Sequence, residues 1–158
     1  MTKSRLISKF LGIFLTASLA TAGIVQAQTV TEDQALAFGS FTFTTVATSN
    51  SITVNADGTG FSTSANLTSL SAPIRGEYSL SGGTISSAYT IMLPASVILS
   101  GPGAGTMTMD SFTVSPTTLM TDGSGNDTFF IGGTLSTASG VSYSNGAYSG
   151  NLDITITF

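Results

Sequence analysis

Apolar and polar residues alternate with a period of two along most of this chain, and this pattern constrains the fold more than any other feature of the sequence. After residue 27, no segment sustains the i, i+3, i+4 apolar spacing of an amphipathic helix. The clearest alternation is at the C-terminus, where Leu152, Ile154, Ile156 and Phe158 fall on one face and polar residues fall on the other. Since successive side chains of a β-strand point to opposite faces, the sequence predicts an all-β protein.

The predicted strands are short, because clusters of Gly, Pro, Asn and Asp interrupt the alternating runs about every 8–12 residues. About seven to nine such strands are typical of an antiparallel β-sandwich or a small barrel. Within two of the runs the apolar positions change from one parity to the other, at Gly39 and near Asp110-Ser111. An extra residue in a strand causes such a change, so we predict a bulge or a strand break at each place.

Two further segments carry weaker local patterns. Gly76–Ser81 and Ala88–Leu93 flank a Gly-Gly pair, and we expect them to form a hairpin. Residues Thr59–Pro73 are mostly small and polar, so we expect a loop with weak strand character, anchored by Leu67 and Leu70.

The first 27 residues have the three parts of a secretory signal peptide. These parts are a basic region with Lys3, Arg5 and Lys9, an apolar run over residues 10–25, and the small-residue cleavage motif Val25-Gln26-Ala27. We therefore predict a signal peptide over residues 1–27 and cleavage after Ala27. Residues 28–158 would then form a single β-sandwich domain that is exported to the cell surface or beyond.

The charged residues of the predicted mature chain exclude several kinds of partner and chemistry. After residue 27 the chain has one basic residue, Arg75, and eight acidic residues, a formal net charge of −7. Nucleic acid and anionic lipid each require several Lys or Arg side chains, so we expect no nucleic-acid binding and no polybasic membrane attachment. The sequence has neither His nor Cys, which excludes Ser-His-Asp catalysis and His/Cys zinc sites. We predict that the protein is not an enzyme and uses no cofactor.

The segment Asp122–Asp127 places oxygen-bearing side chains at alternate positions, as calcium-binding loops do. It lacks the glycine expected at the sixth position, and Gly133 stands at the twelfth, where a bidentate Glu belongs. The interpretation we favour is a solvated turn, and we predict no metal site.

The C-terminal row of Leu152, Ile154, Ile156 and Phe158 has three interpretations. An extended segment of this kind can join the edge of another sheet, as when a periplasmic chaperone grips the last strand of a pilin subunit. Outer-membrane barrels also finish in a strand that ends with an aromatic residue. The third interpretation is the last strand of an ordinary sandwich.

Several segments occur in an order and spacing that resemble the domain-of-unknown-function 4402 family, a group of small exported proteins common in Gram-negative bacteria. They are Leu36-Ala-Phe-Gly39, Gly76-Glu-Tyr-Ser-Leu-Ser-Gly82, Tyr89-Thr-Ile-Met-Leu-Pro94, Phe130-Ile-Gly-Gly-Thr-Leu135, Tyr148-Ser-Gly150 and the terminal Ile-Thr-Phe158. That family is similar in turn to spore coat protein U-like proteins and to archaic chaperone–usher pilins. The resemblance covers nearly the whole predicted mature chain.

The resemblance implies an immunoglobulin-like, pilin-like β-sandwich at the cell surface, and a structural or adhesive role as a fimbrial subunit. Pilins complete their sandwich with a donor strand from a neighbouring subunit, so the implied partners are further copies of the chain and a periplasmic chaperone and usher. The donor would lie within residues 30–43, with Val30, Leu36 and Phe38 as its apolar side chains. The chaperone-facing residues would be Leu152, Ile154, Ile156 and Phe158.

Two alternative functions remain at this stage. One is a small outer-membrane β-barrel, suggested by Phe158 and the alternation before it. The other is a soluble, secreted binding module with the same sandwich fold.

Overall fold

The computed structural model describes residues 28–158, so the predicted signal peptide lies outside the described residues. The described chain is all-β and holds eleven strands, more than the seven to nine expected. Seven of them form the main sheet: β1 (Thr29–Gln34), β3 (Ser51–Val54), β4 (Phe61–Thr63), β6 (Gly76–Ser81), β8 (Ser96–Leu99), β9 (Met107–Ser115) and β10 (Asp127–Ser136). Two small sheets pair β2 (Phe41–Phe43) with β5 (Leu67–Ser69) and β7 (Thr90–Met92) with β11 (Thr155–Thr157). All of these pairings are antiparallel.

The main sheet is organised around β10, which pairs with three other strands. Phe130 lies opposite both Glu77 of β6 and Ser115 of β9, so β6 and β9 occupy opposite edges of β10. Further along, Thr134 lies opposite both Thr53 of β3 and Asp110 of β9. The edge of β10 that pairs with β6 in its first half therefore pairs with β3 in its second half.

Gly132 and Gly133 mark the point where the partner of β10 changes from β6 to β3. A Cβ atom on Gly132 would lie 2.3 Å from the Val54 carbonyl oxygen and 2.5 Å from the Ala56 nitrogen. Both of these neighbours are main-chain atoms, which cannot rotate away as a side chain does. This close approach of the two main chains requires glycine.

Two apolar clusters fill the space between the main sheet and the two small sheets. Cluster 1 lies beneath the second half of β10 and the β2–β5 sheet; its buried members are Phe38, Ile52, Val54, Leu67, Val97, Leu99, Met107, Met109 and Leu135. Cluster 2 lies beneath the first half of β10 and the β7–β11 sheet; its buried members are Tyr78, Leu80, Tyr89, Phe129, Ile131 and Ile156. Leu36, Phe112 and Leu152 pack against both clusters and join them into one core. The predicted all-β, antiparallel, sandwich-like fold is confirmed.

Both predicted parity changes are confirmed. Gly39 has a φ of 69°, and a new strand, β2, begins two residues later at Phe41. In β9 the register against β10 shifts between Gly132 and Thr134, and Ser111 has a φ of 51°. The bulge turns the side chains of Met109 and Phe112 to the same interior, although their positions differ in parity.

One local prediction was wrong, and a second was right only in part. β6 and β7 do not form a hairpin, because β6 pairs with β1 and β10 while β7 pairs with β11. The residues between them bind another loop instead: Gly83 N–H donates to the Gly125 carbonyl at 2.9 Å. The segment Thr59–Pro73 contains two strands, and of its expected anchors Leu67 is buried while Leu70 is 67% exposed. Leu70 lies one residue beyond the end of β5, so its side chain is not on the side of that strand that faces the core.

A substitution at Gly132 tests whether the change of partner along β10 depends on the missing side chain. We expect Gly132→Ala to lower the free energy of unfolding by about 1–3 kcal/mol, because the new methyl group would overlap main-chain atoms. Gly123→Ala is the matched control, since nothing lies within 4 Å of its Cβ position, and it should change stability by less than about 0.5 kcal/mol. Urea denaturation of the two variants measures the difference. Equal stabilities would show that the strands separate at little cost and would contradict this account.

Candidate functional site

β1 forms one end of the main sheet and is bound mainly through its main chain. It lies antiparallel to β6, from Thr29 opposite Ser81 to Gln34 opposite Glu77. Five of its six side chains are exposed, and only Val30 is half-buried against cluster 2. Within residues 28–158 no strand pairs with its other edge, because β1 ends the strand order of the sheet.

Two carboxylates add side-chain contacts between β1 and β6. The Tyr78 hydroxyl donates to Glu32 Oε2 at 3.4 Å, and the Ser79 hydroxyl donates to Asp33 Oδ2. The ladder shifts register between Glu32 and Gln34, which is typical of a β-bulge at the end of a pairing. Sequence reasoning missed this strand because Val30 is its one large apolar residue, and no alternating pattern reveals it.

The next predicted donor residues behave differently from β1. Leu36 is half-buried between the two clusters and Phe38 is buried in cluster 1. Between them, Ala37 and Ile74 exchange two main-chain hydrogen bonds of 2.9 and 2.8 Å. Val30, Leu36 and Phe38 therefore do not lie on one free extension: residues 29–34 are held at an edge, and residues 36–38 are part of the core.

The C-terminal row packs on the domain's own core. Ile156 is buried and lies opposite Ile91 in the β7–β11 sheet, and Leu152, Ile154 and Phe158 are half-buried against cluster 2. The Phe158 ring lies 5.6 Å from the Tyr89 ring. Only Thr155–Thr157 of this segment is a strand. The alternation therefore predicted which side chains face the core along the whole segment, but only three of its residues pair with another strand.

The start of β1 and the end of β11 lie at the same end of the domain. Thr29 is opposite Ser81, and two residues further a Cβ on Gly83 would lie 2.6 Å from the Phe158 ring. The loop from Asp122 to Asn126 is at this end as well, since Gly125 binds Gly83. Both termini of the described chain therefore emerge beside the β1–β6 edge.

The Asp122–Asp127 segment forms a turn held by its own carboxylates. Asp122 Oδ1 accepts hydrogen bonds from the Ser124 and Asn126 N–H groups, both at 2.8 Å, and these bonds lower the pKa of Asp122. Asp127 Oδ2 accepts from the Tyr89 hydroxyl at 2.8 Å. Both carboxylates therefore have hydrogen-bond partners within the protein.

Three further features of residues 28–158 concern metal ligands, Arg75 and membrane-spanning helices. Among residues 28–158, no three His, Cys, Asp or Glu side chains come together in a group that could hold a metal ion. Arg75 lies with its guanidinium carbon 3.6 Å from the centre of the Phe130 ring and donates to the Ala56 carbonyl at 2.8 Å. No helix within the described range is long and apolar enough to cross a membrane.

Comparison with known proteins gave one match. A family model described as "Domain of unknown function (DUF4402)" matches residues 28–158, the whole of the described chain. Neither the curated proteins nor the solved structures contain a significant match.

The buried phenols make a testable prediction about stability at high pH. Burial, together with the charge and hydrogen bond of Glu32, raises the pKa of Tyr78 from 10.0 to about 12. Burial and Asp127 raise the pKa of Tyr89 as well. These phenols ionise at a lower pH in the unfolded chain than in the folded one. Their contribution to the free energy of unfolding is therefore complete below pH 10 and is lost as the pH rises through the folded pKa values.

Urea denaturation at neutral pH and between pH 10 and 12 checks this prediction. We expect the wild-type protein to lose stability across that interval, and Tyr78→Phe to lose less, because one of the two shifted ionisations is gone. Tyr78→Phe/Tyr89→Phe should lose least. An unchanged slope in the double variant would mean that other groups cause the alkaline loss.

Proposed function

The chain belongs to the DUF4402 family, and we propose that this protein is an exported structural or adhesive protein of the cell surface that is assembled as a fimbrial subunit by β-strand complementation. In this proposal its copies join when β1 of one copy pairs with β6 of the next. Export through the periplasm rests on the signal-peptide pattern of residues 1–27. The proposal assigns the protein no catalytic role.

The observation that carries the proposal is the way β1 is attached. Because most of its side chains are exposed, three kinds of contact hold β1 to the domain. They are the main-chain ladder with β6, the half-buried side chain of Val30, and the hydrogen bonds to the carboxylates of Glu32 and Asp33. Main-chain pairing with one anchoring side chain is the mode by which an extended segment adds to a sheet edge. A strand attached in this way can leave by withdrawing one half-buried side chain, that of Val30, from cluster 2.

An exchanged β1 would recover every contact that it had in its own domain. Val30 would cover Tyr78 and Leu80 of the neighbour, and Glu32 and Asp33 would meet the neighbour's Tyr78 and Ser79. The free-energy difference between β1 in its own domain and β1 in a neighbour therefore has two sources, as in other domain-swapped assemblies. They are the entropy lost on association and the conformation of the residues that join β1 to the core. Ala35 is the exposed residue between β1 and the anchored Leu36, and it is the natural hinge.

Removal of β1 would also create the acceptor. The outer edge of β6 would present unpaired N–H and C=O groups, and Tyr78 and Leu80 would lose part of their cover. An open edge of this kind pairs readily with another strand. A periplasmic chaperone would be needed to cover it before assembly, and an usher would deliver the subunits.

A second candidate function is favoured by the pairing of β1 with its own domain. If that arrangement persists after export, the protein is a monomeric secreted binding module of the same fold. The two candidates differ in a single respect, namely whether β1 pairs within one chain or between two.

Cysteine pairs distinguish these arrangements, because the natural sequence contains no Cys. Thr31 and Ser79 are directly opposite across the β1–β6 ladder, where Cα atoms are roughly 4.5–5.5 Å apart, a separation that a disulfide can span. One copy would carry Thr31→Cys, and a second, differently tagged copy would carry Ser79→Cys. We expect co-expression in the native host to yield a disulfide-linked heterodimer in the surface fraction.

The matched control pairs Thr31→Cys with Ser62→Cys, which lies on β4 at the other end of the strand order. This pair should give no heterodimer. A chain with both Thr31→Cys and Ser79→Cys would reveal the alternative: if it forms only an internal disulfide and the separate copies never link, β1 stays in its own domain. That result would overturn the fimbrial proposal and favour the monomeric module.

A further inference from the structure

The sulfur atoms of the described chain fall into an exposed pair and a buried pair. Met92 and Met120 are 63% and 56% exposed, whereas Met107 and Met109 are 3% and 5% exposed. The buried pair belongs to cluster 1, on the strand β9. The sequence contains no Cys, His or Trp, so these thioethers are its most readily oxidised side chains.

Met92 and Met120 lie on the outer side of the small sheet formed by β7 and β11. Ala88, Thr90 and Met92 are alternate residues of one extended segment, and all three are exposed. Ala88 and Met120 form an antiparallel bridge, so their side chains point to the same side. Met92 is itself opposite Thr155 of β11. The outer face of the β7–β11 sheet therefore presents both thioethers to solvent.

We propose that Met92 and Met120 form a methionine-oxidation site on this face, with hydrogen peroxide or a related two-electron oxidant as the reactant. In each reaction the thioether sulfur attacks one peroxide oxygen, the O–O bond breaks, and a sulfur–oxygen bond forms. The sulfur is oxidised by two electrons, and the other peroxide oxygen leaves as water after proton transfer. The products are a methionine sulfoxide and water, so no further reactant is required.

Burial makes the site selective for two of the four methionines within residues 28–158. The sulfurs of Met107 and Met109 are enclosed by apolar side chains that include Ile52 and Leu135, and an oxidant reaches them only when that part of the core opens. Oxidation of the exposed pair needs no opening. The two pairs should therefore differ in reaction rate by at least about tenfold in the folded protein.

The consequence of oxidation is a change in the polarity of one surface. A methionine side chain is apolar and flexible, and its sulfoxide is polar. Four uncharged residues share this face with the pair: Ala88, Thr90, Thr155 and Thr157. Two sulfoxides would therefore make this face more polar while cluster 1 and cluster 2 keep their packing.

The experiment treats the exported, processed protein with hydrogen peroxide and measures oxygen uptake at each methionine by peptide mass spectrometry. We expect Met92 and Met120 to gain one oxygen each at least about tenfold faster than Met107 and Met109. In urea, where burial is lost, the four rates should become similar. Comparable rates for all four in the folded protein, or slow oxidation of either exposed methionine, would overturn the proposal.

Two sets of variants test the effect on the surface. Met92→Leu/Met120→Leu keeps the face apolar and should abolish the fast oxygen uptake, with little change in urea stability. Met92→Gln/Met120→Gln imitates the polarity of the sulfoxide and should elute from a hydrophobic-interaction column as early as the peroxide-treated wild type does. If peroxide treatment leaves the elution of the wild-type protein unchanged, oxidation does not alter this surface.

Discussion

The domain depends on the antiparallel pairing of β10 with three other strands. β9 follows one edge of β10, and β6 and β3 share the other edge, so main-chain hydrogen bonds link segments that are far apart in sequence. The same strand carries Phe129 and Ile131 into cluster 2 and Leu135 into cluster 1. Its pairing and its side chains therefore serve both halves of the core, in a chain with no disulfide to hold them.

Where apolar and polar residues alternate along the chain, the sequence predicted correctly which side chains face the core. The C-terminal residues Ile154, Ile156 and Phe158 all pack against the interior, as their alternation predicts, because the hydrophobic effect acts on each side chain separately. The changes of parity at Gly39 and Ser111 were equally visible, since a bulge reverses the pattern at one residue.

Pairing partners were much harder to predict. The expected β6–β7 hairpin was wrong because partners in a sheet are chosen by the packing of the whole core, and β6 finds β1 and β10 there. β1 itself was missed: Glu32 and Asp33 contact a tyrosine and a serine that lie 46 residues further along the chain. A strand that is held by its main chain and two polar contacts leaves no hydrophobic pattern in its own sequence.

The shared position of the two ends of the described chain has a mechanical consequence. Because β1 begins and Phe158 ends on the same side of the domain, a pulling force applied to both termini of a single copy would act across the strands rather than along them. The hydrogen bonds of β1 would then meet the load one after another, and the strand would peel away at low force.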